Sequence, residues 1–224
     1  MRHSSLMSLL LTVSEDRLRP YGLAVDAADL AICKYLWNTA LSEALYPLLQ
    51  TTEVALRNHI HACVLRDGGE PDWLTNRENR FSLGYRQLDR IAIARDQLGR
   101  KHKAETPSAL MGELTLGFWV SLFDKPFEET WRRLLKAGAF PNLTVARSRR
   151  TLLGRLGPVN DLRNRVFHHE PIWNNQRLPE VHSDLVQILR WICETTGDFV
   201  LPIDRFRITH NAGPLAFESH VREL

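Results

Sequence analysis

Cysteine and lysine are scarce in this chain, and several kinds of run are missing from it altogether. Its three cysteines, Cys33, Cys63 and Cys193, are odd in number, far apart and set in apolar helical patterns. That argues against a disulfide framework or a zinc site and for reduced core thiols in a cytosolic protein. No apolar stretch is long enough to span a bilayer, so no membrane partner is expected. The opening "MRHSSLMSLLLTVSED" holds a short apolar run. It lacks a small-residue cleavage site and acids follow at once, which argues against a signal peptide. Low-complexity tracts and internal repeats are absent, which excludes a disordered chain or a solenoid. A strand-like alternation of apolar and polar residues is also missing. Carboxylates and histidines nowhere gather at metal-ligand spacing, so neither a metal nor a cofactor is expected.

What remains is a soluble globular composition, 44% hydrophobic and 25% charged over 224 residues, with a net charge of only +3. The cations are lopsided, with 24 arginines against 5 lysines. Arginine grips phosphate through a planar fork, although on composition alone a GC-rich genome is the preferred explanation of the bias.

Helical periodicity dominates. "DAADLAICKYLWNTALSEALYPLLQTTEVALRNHIHACVLRD" predicts one long helical run, N-capped at Asp26 and kinked or divided at Pro47. "GGEPDWLTNREN" predicts a loop and "LGYRQLDRIAIARDQLGRK" a second amphipathic helix. "TPSALMGELTLGFWVSLF" predicts a buried helix capped by Thr106, with Pro107 at its first position. "KPFEETWRRLLKAGAF" predicts another, ended by Gly138 and Pro141. "LTVARSRRTLLGRLGPVNDLRNRVFHHEP" reads as helical, with a break at Gly157-Pro158 open, and "LPEVHSDLVQILRWICETT" closes the bundle. From about residue 204 the tail has mixed polarity and no assigned structure. The expected architecture is one all-α domain over 1–224 with no clear linker.

One stretch stands out: "DLRNRVFHHEP", residues 161 to 171. On a helix, Asn164 and His168 share a face, and Arg165 and His169 form a second such pair. Leu162, Val166 and Phe167 point to the other side and are expected to pack inward. Arg163 lies about 140° from His168, so a groove shared with another helix or subunit brings them together more easily. Pro171 should end the helix near Glu170 and place both histidines in its last turn. There the helix dipole favours imidazolium, and histidine exchanges a proton near neutral pH. Proton transfer beside a guanidinium is what metal-free RNA cleavage needs. The 2′-hydroxyl must lose a proton, and charge builds on the phosphoryl oxygens. The alternative is a helix C-terminus decorated with cations, which accounts for one such residue better than for all of them.

"LRNRVFHHEPI" resembles the signature of the Abi-like (AbiD/AbiF-type) abortive-infection family of the HEPN superfamily, whose motif is Arg, four to six residues, then His. Arg163, Asn164 and His168 fit it, and Arg163 to His169 fits with one residue more. "TTEVALRNHI" and "GELTLGFWVSLF" are similar to that family's earlier blocks, so the resemblance runs from about Ala27 to Thr196. It implies a HEPN-like helical bundle with additional N-terminal helices and a metal-independent endoribonuclease acting on RNA in the cytoplasm. It also implies a homodimer and leaves room for a protein or RNA antitoxin. Arg163 would hold the phosphate, Asn164 orient it, His168 act as acid or base, and His169 assist. A non-catalytic HEPN module binding RNA or a partner protein is the competing expectation.

Further candidates are weaker. Arg147, Arg149, Arg150 and Arg155 precede the motif with no acid until Asp161, and with Arg165 they make a candidate RNA track. A solvated helix face is the plain alternative. Arg57 and Asn58 echo the motif, but the position matching His168 is Ala62, so they are expected to be structural or RNA-contacting. His59 and His61 are expected to pack or face solvent. Trp37, Trp119, Trp131 and Trp191 are expected in the core, and Trp173 under the helix end or at a substrate or dimer contact.

Overall fold

A computed structural model describes residues 3–24, 27–76 and 81–224. Asp26, expected as a helix cap, and residues 77–79 of the expected loop lie outside that set. The described residues form helices and no strand. In order these are α1 (His3–Thr12), α2 (Glu15–Leu18), α3 (Ala28–Arg66), α4 (Tyr85–Arg100), α5 (Pro107–Glu113) and α6 (Leu116–Ser121). They continue as α7 (Glu128–Lys136), α8 (Arg149–Phe167), α9 (Leu178–Ile192), α10 (Glu194–Val200), α11 (Phe206–Ala212) and α12 (Glu218–Glu223). The all-α expectation holds.

Two compact units result, neither contiguous in sequence. The first takes residues 1–48, 161–182 and 202–224, and the second takes 49–160 and 183–201. In the first, Ile32 and Cys33 of α3 pack with Val221 of α12, flanked by Leu6, Leu9, Leu36 and Phe217. The tail is therefore helical and anchored, although its mixed polarity predicts no structure. Phe206 of α11 is buried and stacks on the buried His182 at 4.3 Å. His182 also bonds Asp204 at 2.8 Å. Burial pushes that imidazole's pKa down, the Asp204 carboxylate pulling the other way.

The second unit is centred on aromatics. Phe123 stacks on Trp131 at 4.1 Å, and Phe81 meets both Trp73 and Trp131. Buried indoles need acceptors. Trp131 donates to the Leu122 carbonyl, Trp119 to the Leu114 carbonyl and Trp73 to His61. Trp119, Trp131 and Trp191 are core, as expected, whereas Trp37 is half-buried and donates to the Thr209 carbonyl within the first unit. Cys33 and Cys63 are buried free thiols, and burial pushes both up in pKa; Cys193 is half-buried.

Helix ends depart from the sequence reading for local reasons. Pro47 does not divide α3, which runs for 39 residues. Nor does Gly157-Pro158 break α8. A residue before proline avoids the α region because its Cβ meets the ring, and Gly157 has no Cβ. The 107–123 stretch is two helices, not one. Thr106 caps α5 as expected, but Leu114 is extended (ψ 126°) and separates α5 from α6. Residues 143–148 are not helical: α8 starts at Arg149, where the Ser148 hydroxyl accepts the Thr151 N–H.

Candidate functional site

The C-terminus of α8 shapes the site. His168 N–H still bonds the Asn164 carbonyl at 2.9 Å, as in a helix. Then Glu170 N–H reaches back to the Arg165 carbonyl (2.7 Å) and His169 N–H to the Val166 carbonyl (3.1 Å). This is a Schellman ending, which needs a left-handed residue at its hinge. His169 takes that role with φ 58°. The helix thus stops at Phe167, short of Glu170, and the histidines follow its last turn instead of occupying it. Both are exposed.

Leu162 and Val166 are buried, as expected. Phe167 is not: it is 40% exposed, stacked on Tyr46 at 5.8 Å and covered by the Arg163 guanidinium at 4.2 Å. One further residue turns the helix by about 100°, which carries Phe167 off the buried stripe. Arg163, four residues earlier, is then its neighbour. Arg165 is occupied by the turn that follows. It donates to the Pro171 carbonyl and lies 3.6 Å from the Glu170 carboxylate.

Asn38 of α3, which the sequence reading missed, fixes the chain beyond the turn. Its buried side-chain oxygen accepts the N–H groups of Ile172 (2.6 Å) and Trp173 (3.1 Å). Trp173 stacks on Tyr21 at 6.2 Å beneath the Lys34 ammonium, which matches the packing role expected for it.

Beside these residues lies a pocket of about 540 Å³ within the first unit. Ser14, which joins α1 to α2, and Arg17 of α2 line it, and α3 lines it with Tyr35, Asn38, Thr39 and Ser42. The end of α8 adds Val166, His168 and His169. Among the described residues, neither Asp nor Glu is in the lining. Arg17, also missed from sequence, donates to the His169 carbonyl. Arg163 and Asn164 do not line this pocket. The structure therefore brings the two histidines together with Arg17, and not with the motif arginine.

The other candidate arginines belong to the second unit. Arg149, expected on an RNA-facing surface, is 9% exposed and pairs with Glu128 at 2.6 Å while donating to the Phe123 carbonyl. A nearly buried guanidinium with a carboxylate at contact distance packs against its neighbours. Arg155 pairs with the buried Asp184 at 2.5 Å. Arg147 is exposed and donates to the Pro141 carbonyl, and Arg150 is exposed. Arg57 is half-buried and Asn58 exposed. His59 accepts the Phe140 N–H and His61 accepts the Trp73 indole N–H, so both pack.

Among the described residues, no three of His, Cys, Asp or Glu stand together as a metal site, and no helix is long and apolar enough to cross a membrane. No protein-family model matches the chain, and no curated protein or solved structure matches it significantly.

Proposed function

We propose that this protein is a metal-independent endoribonuclease of an abortive-infection or toxin-type defence system, acting on cellular RNA in the cytoplasm. The observation that carries the reading is the pairing of two exposed histidines with Arg17 in a pocket with no carboxylate among its described lining residues. One imidazole takes the proton of the RNA 2′-hydroxyl as that oxygen attacks the adjacent phosphorus. The bond to the 5′-oxygen breaks, and that oxygen receives a proton from an imidazolium. Guanidinium offsets the charge that builds on the phosphoryl oxygens. The products are a 2′,3′-cyclic phosphate and a 5′-hydroxyl. The resemblance of "LRNRVFHHEPI" to the Abi-like signature supports the same assignment, and with it a homodimer and a neutralising antitoxin.

A second reading, a non-catalytic HEPN module that binds RNA or a partner protein, is favoured by one observation. Arg163 lies over Phe167 and is outside the pocket that receives the histidines. Total RNA taken before and after induction of the protein, run on a denaturing gel, decides between the two. Discrete new fragments are expected. Unchanged RNA in cells that accumulate folded protein rules out the nuclease and leaves the binding module.

A further inference from the structure

The pocket beside α8 has a one-sided lining. Among its described residues, Arg17, His168 and His169 are the ones of ionisable acid–base type apart from the Tyr35 phenol, and all three are cationic or become so on protonation. The two acids of α2, Glu15 and Asp16, both pair with Arg19, at 3.6 and 2.9 Å. A guanidinium in a concave site with no carboxylate among its described lining residues attracts anions.

The backbone around the pocket is set at some cost. Ser14 (φ 75°) and His169 (φ 58°) are both in the left-handed region that non-glycine residues avoid, and both line this pocket. Strain of this kind concentrates at functional sites. The two are also tied together through Arg17. The Ser14 hydroxyl oxygen accepts the Arg17 N–H at 3.3 Å, and the Arg17 guanidinium donates to the His169 carbonyl. One N–H of the guanidinium is used in this way, and the guanidinium has four more. The Ser14 oxygen, having accepted, still has its proton to give. On α3, the Thr39 and Ser42 hydroxyls donate to the Tyr35 (3.1 Å) and Asn38 (2.9 Å) carbonyls, which turns their oxygens into acceptors. A ligand with a phosphate at one end and hydroxyl donors at the other matches this arrangement, and about 540 Å³ is within the range of small-ligand pockets.

We infer that Arg17, rather than Arg163, is the guanidinium that binds the scissile phosphodiester, in a pocket complete within one chain. The Ser14 hydroxyl assists it, and the Thr39 and Ser42 oxygens receive the ribose hydroxyl. Naming RNA as the ligand rests on the ribonuclease reading, while the anion site rests on the lining alone.

The test is NMR of the histidine ring signals, assigned with H168A and H169A. They are followed during titration with inorganic phosphate, then with a dinucleotide monophosphate lacking the 2′-hydroxyl at the cleavage position. Both probes should shift the His168 and His169 signals of the wild-type protein, and affinity should fall as NaCl is raised. Arg17→Gln keeps an N–H for the His169 carbonyl but loses the charge, and should weaken both probes at least tenfold with the melting temperature little changed. Thr39→Asp leaves Arg17 in place, sets an anion in the pocket, and should do the same. Wild-type-like binding by R17Q and T39D overturns the inference, as does loss of binding in R163A while R17Q retains it. Binding of inorganic phosphate alone overturns the phosphodiester assignment. Dinucleotide binding through Arg17 by a protein that cuts no RNA overturns the ribonuclease reading instead and leaves the Arg17 site standing.

Discussion

His59 is held as a neutral packing ring. Its Nε2 accepts the Phe140 N–H at 3.3 Å, its ring meets the Phe140 ring edge-on at 4.6 Å, and it lies 3.6 Å from the Cys63 sulfur. Burial, with the Arg66 charge adding to it, pushes its pKa down to about 4. The unfolded chain binds this proton near pH 6.5 and the folded chain only near pH 4. The neutral ring's contribution is therefore complete above about pH 6.5 and is lost as the pH falls towards 4. The loss reaches about 3 kcal/mol at the acid end of that window. Urea unfolding at pH 7 and pH 4.5 measures it. His59→Gln, which keeps an acceptor but does not titrate, should remove most of that share of the pH dependence. An unchanged dependence in H59Q contradicts the assignment. Such partners were hidden in the sequence because they come from distant positions. Arg149 and Arg155 have no acid nearby in the chain, yet Glu128 and Asp184 meet them. Arg17 escaped notice because its partner, His169, is 152 residues away. His168 and His169 were legible because their motif is local.

Element ends were less legible than elements. The long amphipathic segments α3, α4 and α9 carry a full apolar stripe and were visible in the spacing. α10, α11 and α12 have seven, seven and six residues, too few for a period to show, and their anchors Phe206 and Val221 look like isolated apolar residues. At the end of α8 the sequence carries no glycine, so nothing in it announces a left-handed turn. This gives a test at the same scale. His169→Gly and His169→Ala both delete the ring, but only glycine is at ease at φ 58°. H169G should be more stable than H169A by about 1 kcal/mol in thermal or urea melts. Equal stability would mean that residue 169 is not left-handed in solution.

On the scale of the molecule, composition and periodicity were enough for an all-α chain. They were not enough for two units interleaved in sequence, because α3 and α8 each contribute to both and no linker marks the change. RNA cleavage, too, is a property of the whole protein. The most direct measurement is cleavage of total cellular RNA by purified wild-type, His168→Ala and His169→Ala proteins in EDTA, with melting temperatures taken alongside. Discrete fragments are expected from the wild-type protein in chelator. H168A should be slower by about two to four orders of magnitude at nearly unchanged stability, and H169A should be less affected. Absence of cleavage by the wild-type protein, activity restored only by a divalent ion, or an H168A protein that cuts as fast as the wild type would contradict the ribonuclease reading.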